Sequence, residues 1–139
     1  MEPKASHFAH VADIGVCGVG PTIEAAFEQA ALAMTAVMTE PAKIELKESV
    51  QIECVAPNAE LLFIDWLNAI IFEMATRSMI FGAFEVSLDG LRLRGVATGE
   101  PISAERHSPA VEVKGATLTE LSVAEDRPGE WRAQCVVDV

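Results

Sequence analysis

The sequence predicts an α+β fold, two helices packed on a mostly antiparallel β-sheet in a single two-layer domain spanning residues 1–139. Three observations carry that prediction. Two long stretches, residues 23–38 and 61–74, are apolar at helical spacing or nearly all round. The segments between and after them alternate apolar with polar residues, as half-buried strands do. The chain has 139 residues, half of them hydrophobic, which suits one core that needs no disulfide or metal staple.

Taken in order, residues 1–5 are expected to fray. Residues 14–19 are rich in β-branched side chains and read as a strand whose end is bracketed by Gly18 and Gly20. Pro21 and Thr22 open a helix, with Thr22 as N-cap and Glu24 in the first turn, where a carboxylate suits the helix dipole. Ile23, Ala26, Phe27, Ala30, Ala31, Met34 and Met38 follow at steps of three and four. One face of this helix is built of alanine, so another element can approach closely. Pro41 stops it, and Glu24 and Glu28 read as a solvated face. Residues 43–55 alternate through Ile44, Leu46, Val50, Ile52 and Cys54, as a strand or hairpin.

Asn58 caps the second helix, which is expected to be central and covered on most sides. Asp65 and Asn68 share its solvated or interfacial stripe, and Trp66 belongs to the core. Residues 80–88 and 91–98 form a hairpin about Asp89-Gly90, with Arg92 and Arg94 on one face and Leu91 and Leu93 on the other. Residues 99–109 read as a long polar loop carrying Arg106 and His107. Strand character resumes over residues 111–123, interrupted near Gly115. A turn at 127–130 leads to a last strand, residues 131–139.

Composition narrows the function. The net charge is −11, with only ten Lys and Arg residues, no two of them adjacent. A phosphate backbone is gripped mainly by such residues, so direct non-specific nucleic-acid binding is disfavoured. An acidic chain is better suited to cations or to a basic protein surface. No apolar run reaches the ~20 residues of a membrane helix, and the N-terminus lacks an apolar signal core. A cytoplasmic location with no membrane partner is expected. Cys17, Cys54 and Cys135 are far apart and form no CxxC, so they read as reduced, buried thiols.

Nucleophile and phosphate motifs are absent: the chain has no GxSxG, P-loop or GxGxxG, and no catalytic residue is assigned. His7, His10 and His107 could form a histidine site only through the fold, and each reads more simply as a hydrogen-bonded side chain. The C-terminus offers more. Asp138 follows the apolar Val136-Val137, and the α-carboxylate of Val139 is next to it. Adjacent carboxylates repel unless water or a cation neutralises them. With Asp13 brought close by sheet pairing, three hard oxygen donors would suit Ca²⁺, Mg²⁺ or Mn²⁺. This requires the strands carrying Asp13 and Asp138 to be neighbours.

The run HVADIGVCGVGPTIEAAFEQAALAM carries H-x-A-D-x-G followed by G-x-T-x-x-E/A-A-F-x-x-A-A. The middle, AELLFIDWLNAIIF, and the end, ERHSPAVEVKGATLTELSV with WRAQCVVDV, add R-H…E-V-K…A-T and a terminal W-x-A-x-x-x-x-D-aliphatic pattern. This ordered set, running from His7 to Val139, resembles the archease family. The resemblance implies a small α+β protein that activates an RtcB-type RNA ligase. That ligase uses GTP and Mn²⁺ to join 2′,3′-cyclic phosphate or 3′-phosphate RNA ends to 5′-hydroxyl ends, attaching GMP to one of its own histidines. Archease promotes this guanylylation and multiple turnover, serving tRNA splicing and RNA repair, and is not itself an enzyme.

The resemblance also implies a divalent cation, Ca²⁺ before Mg²⁺ or Mn²⁺, held by Asp13, Asp138 and Val139. His10, His107 and Lys114 match further motif positions, as supporting or partner-contact residues. RNA is then reached only through the ligase, by a monomer or small homo-oligomer. The family often has an aromatic residue and a His after A-T, where this chain has Leu118 and Thr119. Two rival readings stand beside this one. One is a metal-dependent hydrolase-like enzyme acting at His10, Asp13 and His107. The other is a general chaperone-like modulator of RNA-modifying proteins.

Overall fold

A computed structural model describes residues 13–139. The expectations for residues 1–5, His7 and His10 lie outside the described residues. Strand β1 (Asp13–Gly20) runs into helix α1 (Ile23–Met38), which starts where Thr22 Oγ1 accepts the Ala25 N–H at 3.1 Å. Extended Thr39 ends α1, and Pro41–Lys43 forms a single 3₁₀ turn. Strand β2 (Glu48–Val55) precedes helix α2 (Ala59–Arg77), capped by Asn58 Oδ1, which accepts the Leu61 N–H at 2.9 Å. Ser78, left-handed at φ 54°, closes α2. There follow β3 (Met79–Asp89), β4 (Arg92–Pro101), one-turn helix α3 (Ala104–His107), β5 (Gly115–Ala116), β6 (Ser122–Arg127) and β7 (Glu130–Asp138).

The α+β class is as the sequence predicts, and every strand pair is antiparallel. The strands divide into two sheets rather than one. The first has the order β1-β7-β5, with β6 also on β7; the second has the order β2-β4-β3. Helix α1 packs on β1, β7 and β3, and α2 packs on β2, β3, β4 and β5, so each helix touches both sheets. One buried cluster joins all of these, including Phe27, Phe63, Trp66, Phe81, Leu93 and Cys135. Trp66 is fully buried, as expected, and its indole N–H donates to Phe27 O at 3.2 Å.

Two close approaches explain small residues. A Cβ on Gly18 would lie 2.2 Å from the Ala26 carbonyl oxygen and the Ala30 nitrogen, so β1 and the alanine face of α1 meet backbone to backbone. A Cβ on Gly95 would lie 2.3 Å from the Trp66 ring, so β4 gives that ring its space.

Several expectations are corrected. Residues 43–47 do not join a strand: Leu46 is exposed and Glu45 N–H donates to a side chain, Glu100 Oε2, at 2.8 Å. Leu91 sits in the hairpin turn and is exposed, whereas Leu93 is buried. Residues 99–109 are not a loop throughout but the end of β4 followed by α3. Over residues 111–123 only the two-residue β5 and the start of β6 are strand. Asp65 and Asn68 of α2 are exposed, as expected, but so is Phe72, so the helix is less covered at that point than expected. Of the three free thiols only Cys135 is buried; Cys54 is partly exposed and Cys17, on the outer face of β1, is exposed. Burial pushes the Cys54 and Cys135 thiols up to about 11.

Gly18→Ala forces a methyl group into backbone that has no soft side chain to yield. Overpacking of this kind costs about 3 kcal/mol. The thermal midpoint should fall by roughly 10 °C, read by circular dichroism. An unchanged midpoint refutes the backbone contact.

Candidate metal centre

A strand alternates faces at every residue. In β1, Val16 and Gly18 are buried under α1, so Asp13, Gly15, Cys17 and Val19 point to solvent. In β7, Ala133, Cys135 and Val137 are buried, leaving Asp138 exposed. The register then sets Asp13 directly opposite Asp138. Facing Cα atoms in an antiparallel pair stand about 4.5–5.5 Å apart. The neighbourhood that the shared site requires is therefore met.

The end of β7 is held from its other side. Lys114 N–H donates to Asp138 O at 2.8 Å, and Gly115 is the register partner of Asp138. Thr117 donates to Val136 O twice, from its N–H at 2.9 Å and its hydroxyl at 2.8 Å. Lys114 thus supports the site through its backbone, while its side chain is exposed.

The aspartate pair is electrostatically unrelieved. The Asp13 carboxyl is raised above its ordinary value, first through its hydrogen bond with Asp138, then by desolvation and by the Asp138 charge. Among the described residues, no Lys, Arg or His pairs with either carboxylate. Such a pair favours a shared proton or a cation, and oxygen-only donors fit Ca²⁺, Mg²⁺ or Mn²⁺ better than a softer metal. Among the described residues no three His, Cys, Asp or Glu side chains cluster as a metal site. The carboxylate assigned to Val139 is a main-chain group and so falls outside such a side-chain cluster. Val139 itself is partly buried against the core.

A depression of about 440 Å³ runs from Asp13 along the same face, lined also by Gly15, Cys17, Thr119, Gln134 and Val136. A larger groove, about 730 Å³, is walled by Met38, Met74, Met79, Ile102 and Val111 and reaches Lys114, but contains neither aspartate.

His107 stands in a different assembly. It is 1% exposed, its Nδ1 accepts the Ser103 N–H at 2.8 Å, and its Nε2 therefore donates to Glu100 Oε2 at 2.8 Å. Thr39 Oγ1 donates to its carbonyl oxygen. Its ring is engaged within the fold and offers a partner no surface. Glu100, also 1% exposed, further accepts from Arg106 at 2.7 and 2.8 Å. The Arg106 hydrogen bond, with those of the Glu45 N–H and His107, holds the Glu100 carboxyl well below the ordinary range.

Sequence reasoning missed Glu100. Strand alternation puts it on the solvent side with Arg92 and Arg94, and it is covered by α3 together with the segment carrying Glu45 and Lys47. It also missed Glu28, whose carboxylate accepts the Val86 N–H at 2.8 Å and ties α1 to β3 rather than facing solvent freely.

The model of the Archease protein family (MTH1598/TM1083) matches residues 6–139. The chain belongs to the archease family. Protein archease of Pyrococcus furiosus is 37% identical over 137 residues, covering 96% of each chain. The solution structure of Methanobacterium thermoautotrophicum protein 1598 superposes with a TM-score of 0.78 at 34% identity, over 92% of this chain and 93% of that one. The crystal structure of a Thermotoga maritima archease, described as a possible chaperone, gives a TM-score of 0.63 at 19% identity, over 94% and 93%, and bears on the fold alone. Among the described residues of this archease-family chain, no helix is long and apolar enough to cross a membrane.

The Glu100 network sets an acid limit on the fold. Glutamate in an unfolded chain titrates near ~4.3, and here the folded value is lower. The stability this adds is complete above that pH and is lost as pH falls through the folded value. Glu100→Gln should melt below the wild type at pH 7, with the gap narrowing below about pH 4. A gap of constant size from pH 7 to pH 3 would show that the charge of Glu100 is not what holds α3.

Proposed function

We propose that this archease-family chain is a non-enzymatic protein cofactor of an RtcB-type RNA ligase, with Asp13, Asp138 and the Val139 α-carboxylate holding a divalent cation. Ca²⁺ is the first choice and Mg²⁺ or Mn²⁺ the alternatives. The observation that carries this reading is the direct opposition of Asp13 and Asp138, the two side chains at the family's cation-binding motif positions. The chain promotes guanylylation and multiple turnover of the ligase, in tRNA splicing and RNA repair, and meets RNA only through that partner. Its net charge of −11 supports the choice of partner, since an acidic surface is drawn to the basic groove of an RNA-binding enzyme.

The residues divide the work. Asp13 and Asp138 supply hard oxygens at an exposed sheet end, and the backbones of Lys114 and Thr117 fix the strand that carries Asp138. A bound divalent ion supplies a concentrated positive charge where two carboxylates otherwise repel.

A turnover assay of an RtcB-type ligase, with and without the chain, tests the function. The wild type should convert single turnover into multiple turnover. Asp13→Ala and Asp138→Ala, folded by circular dichroism, should lose about tenfold or more of that stimulation. Failure of the wild type to stimulate sinks the cofactor reading, and full stimulation by both variants removes the cation pair from it.

A short C-terminal extension displaces the Val139 α-carboxylate without touching either aspartate. Calorimetric Ca²⁺ affinity should then weaken by about tenfold. Equal affinity with and without the extension rules Val139 out as a ligand.

A further inference from the structure

On the side away from β1, the end of β7 that carries Asp138 is paired with a strand of only two residues. β5 is the edge of its sheet, with two register pairs to β7, Gly115↔Asp138 and Ala116↔Val137. So short a strand has little pairing of its own to resist fraying. Its outer side is tied to helix α2 by one side chain: Asn68 Oδ1 accepts the Ala116 N–H at 2.9 Å. The same oxygen is the atom nearest to a Cβ built on Gly115, at 3.7 Å, so it lies against both residues of β5. Asn68 is exposed, on the stripe of α2 that also carries Asp65 and Phe72, and it has no place in the core. Two residues before Ala116, the Lys114 N–H donates to Asp138 O.

We infer that Asn68 is a positioning residue: it fixes β5 from outside the sheet and so holds the end of β7 with Asp138 facing Asp13. The inference rests on the reading of Asp13 and Asp138 as the cation pair. Its physical basis is preorganisation. Two ligands on neighbouring strands bind one ion tightly only if neither strand frays, and the partners that orient a ligand set affinity almost as much as the ligands do. Helix α2 is the rigid body available for this. It is 19 residues long and seated on the core through Leu62, Trp66, Leu67 and Ile70, so Asn68 passes that rigidity to a two-residue edge.

The test uses the full chain with Asn68→Ala and Asn68→Asp, the second keeping an acceptor oxygen at the same reach. Three measurements are made: amide hydrogen exchange by NMR, calorimetric titration with Ca²⁺ alone, and the thermal midpoint. The Ala116 amide loses its acceptor in Asn68→Ala whatever the role, so the informative amides are Lys114 and Thr117, which bond to β7. In Asn68→Ala both should exchange about three- to tenfold faster, and Ca²⁺ affinity should fall by a similar factor, with the midpoint nearly unchanged. Asn68→Asp should restore wild-type exchange. Wild-type exchange at Lys114 and Thr117 in Asn68→Ala overturns the inference. So does a loss of affinity that appears only together with a drop in the midpoint, which marks a general structural role. A wild type that binds no Ca²⁺ refutes the reading of the aspartate pair instead, while the exchange data still decide whether Asn68 sets this strand.

Discussion

Strands β1 and β7 pair over eight residues, from Asp13↔Asp138 to Gly20↔Trp131, and this brings together positions more than a hundred residues apart in the chain. Closing a loop of that length costs about 4 kcal/mol of chain entropy. Two fully buried valines contribute about 1.5–3 kcal/mol each, so Val16 and Val137 alone offset most of the cost. The seat of α1 on β1, backbone against backbone at Gly18, then fixes which face of the pair is inside. Once Val16 and Gly18 face the helix, Asp13 must face solvent; once Ala133, Cys135 and Val137 are buried, so must Asp138. With β1 held on α1, a slip of β7 by one residue would turn its buried set outward and carry Asp138 to the core side, away from Asp13. The core therefore determines that two carboxylates meet at the surface.

The molecule uses carboxylates in two opposite electrostatic ways. Glu100 is enclosed, yet it is lowered because Arg106, the Glu45 N–H and His107 all donate to it. Asp13 is at the surface, yet it is raised because its neighbour is another carboxylate. The first arrangement is complete: donors converge on the acceptor and the network closes α3 over β4. The second leaves two carboxylates facing each other, an arrangement that a shared proton or a cation relieves. The contrast also separates two residues that the family resemblance treats alike. His107 belongs to the closed network, while Lys114 lies beside the open pair.

The parts of this fold legible in the sequence were those set by local rules. Thr22 and Asn58 cap the two helices, and Asp89-Gly90 makes the hairpin. The pairing of the first described strand with the last was legible only through Asp13 and Asp138, since periodicity says nothing about which strands meet. Where tertiary contacts overrode local pattern, the reading failed. Residues 43–47 alternate like a strand, but Glu100 takes the Glu45 N–H that a neighbouring strand would need. Glu28 has the spacing of a solvated carboxylate, but the edge of β3 supplies it with a backbone donor. Asn68 was placed correctly on an interfacial stripe of α2, although what it faces could be found only once β5 was seen beside it.

The departure from the family pattern at Leu118 and Thr119 can be weighed in the same physical terms. Thr119 lies beside the aspartate face and its backbone holds β7, Thr119 O accepting the Val136 N–H at 3.1 Å, while Leu118 O accepts the Leu121 N–H at 3.3 Å within the turn before β6. Both bonds are main-chain and do not depend on which side chain is present. Thr119 lines the depression beside Asp13, and Leu118 is 63% exposed. Replacing an aromatic residue and a histidine here therefore leaves the support of Val136, and with it the position of Asp138, intact. Against the pattern that the resemblance implies, what would differ is the surface next to the pair, where this chain has Thr119 and the exposed Leu118. Any difference between this chain and its relatives at this position therefore belongs to what the face touches and not to how the carboxylates are held.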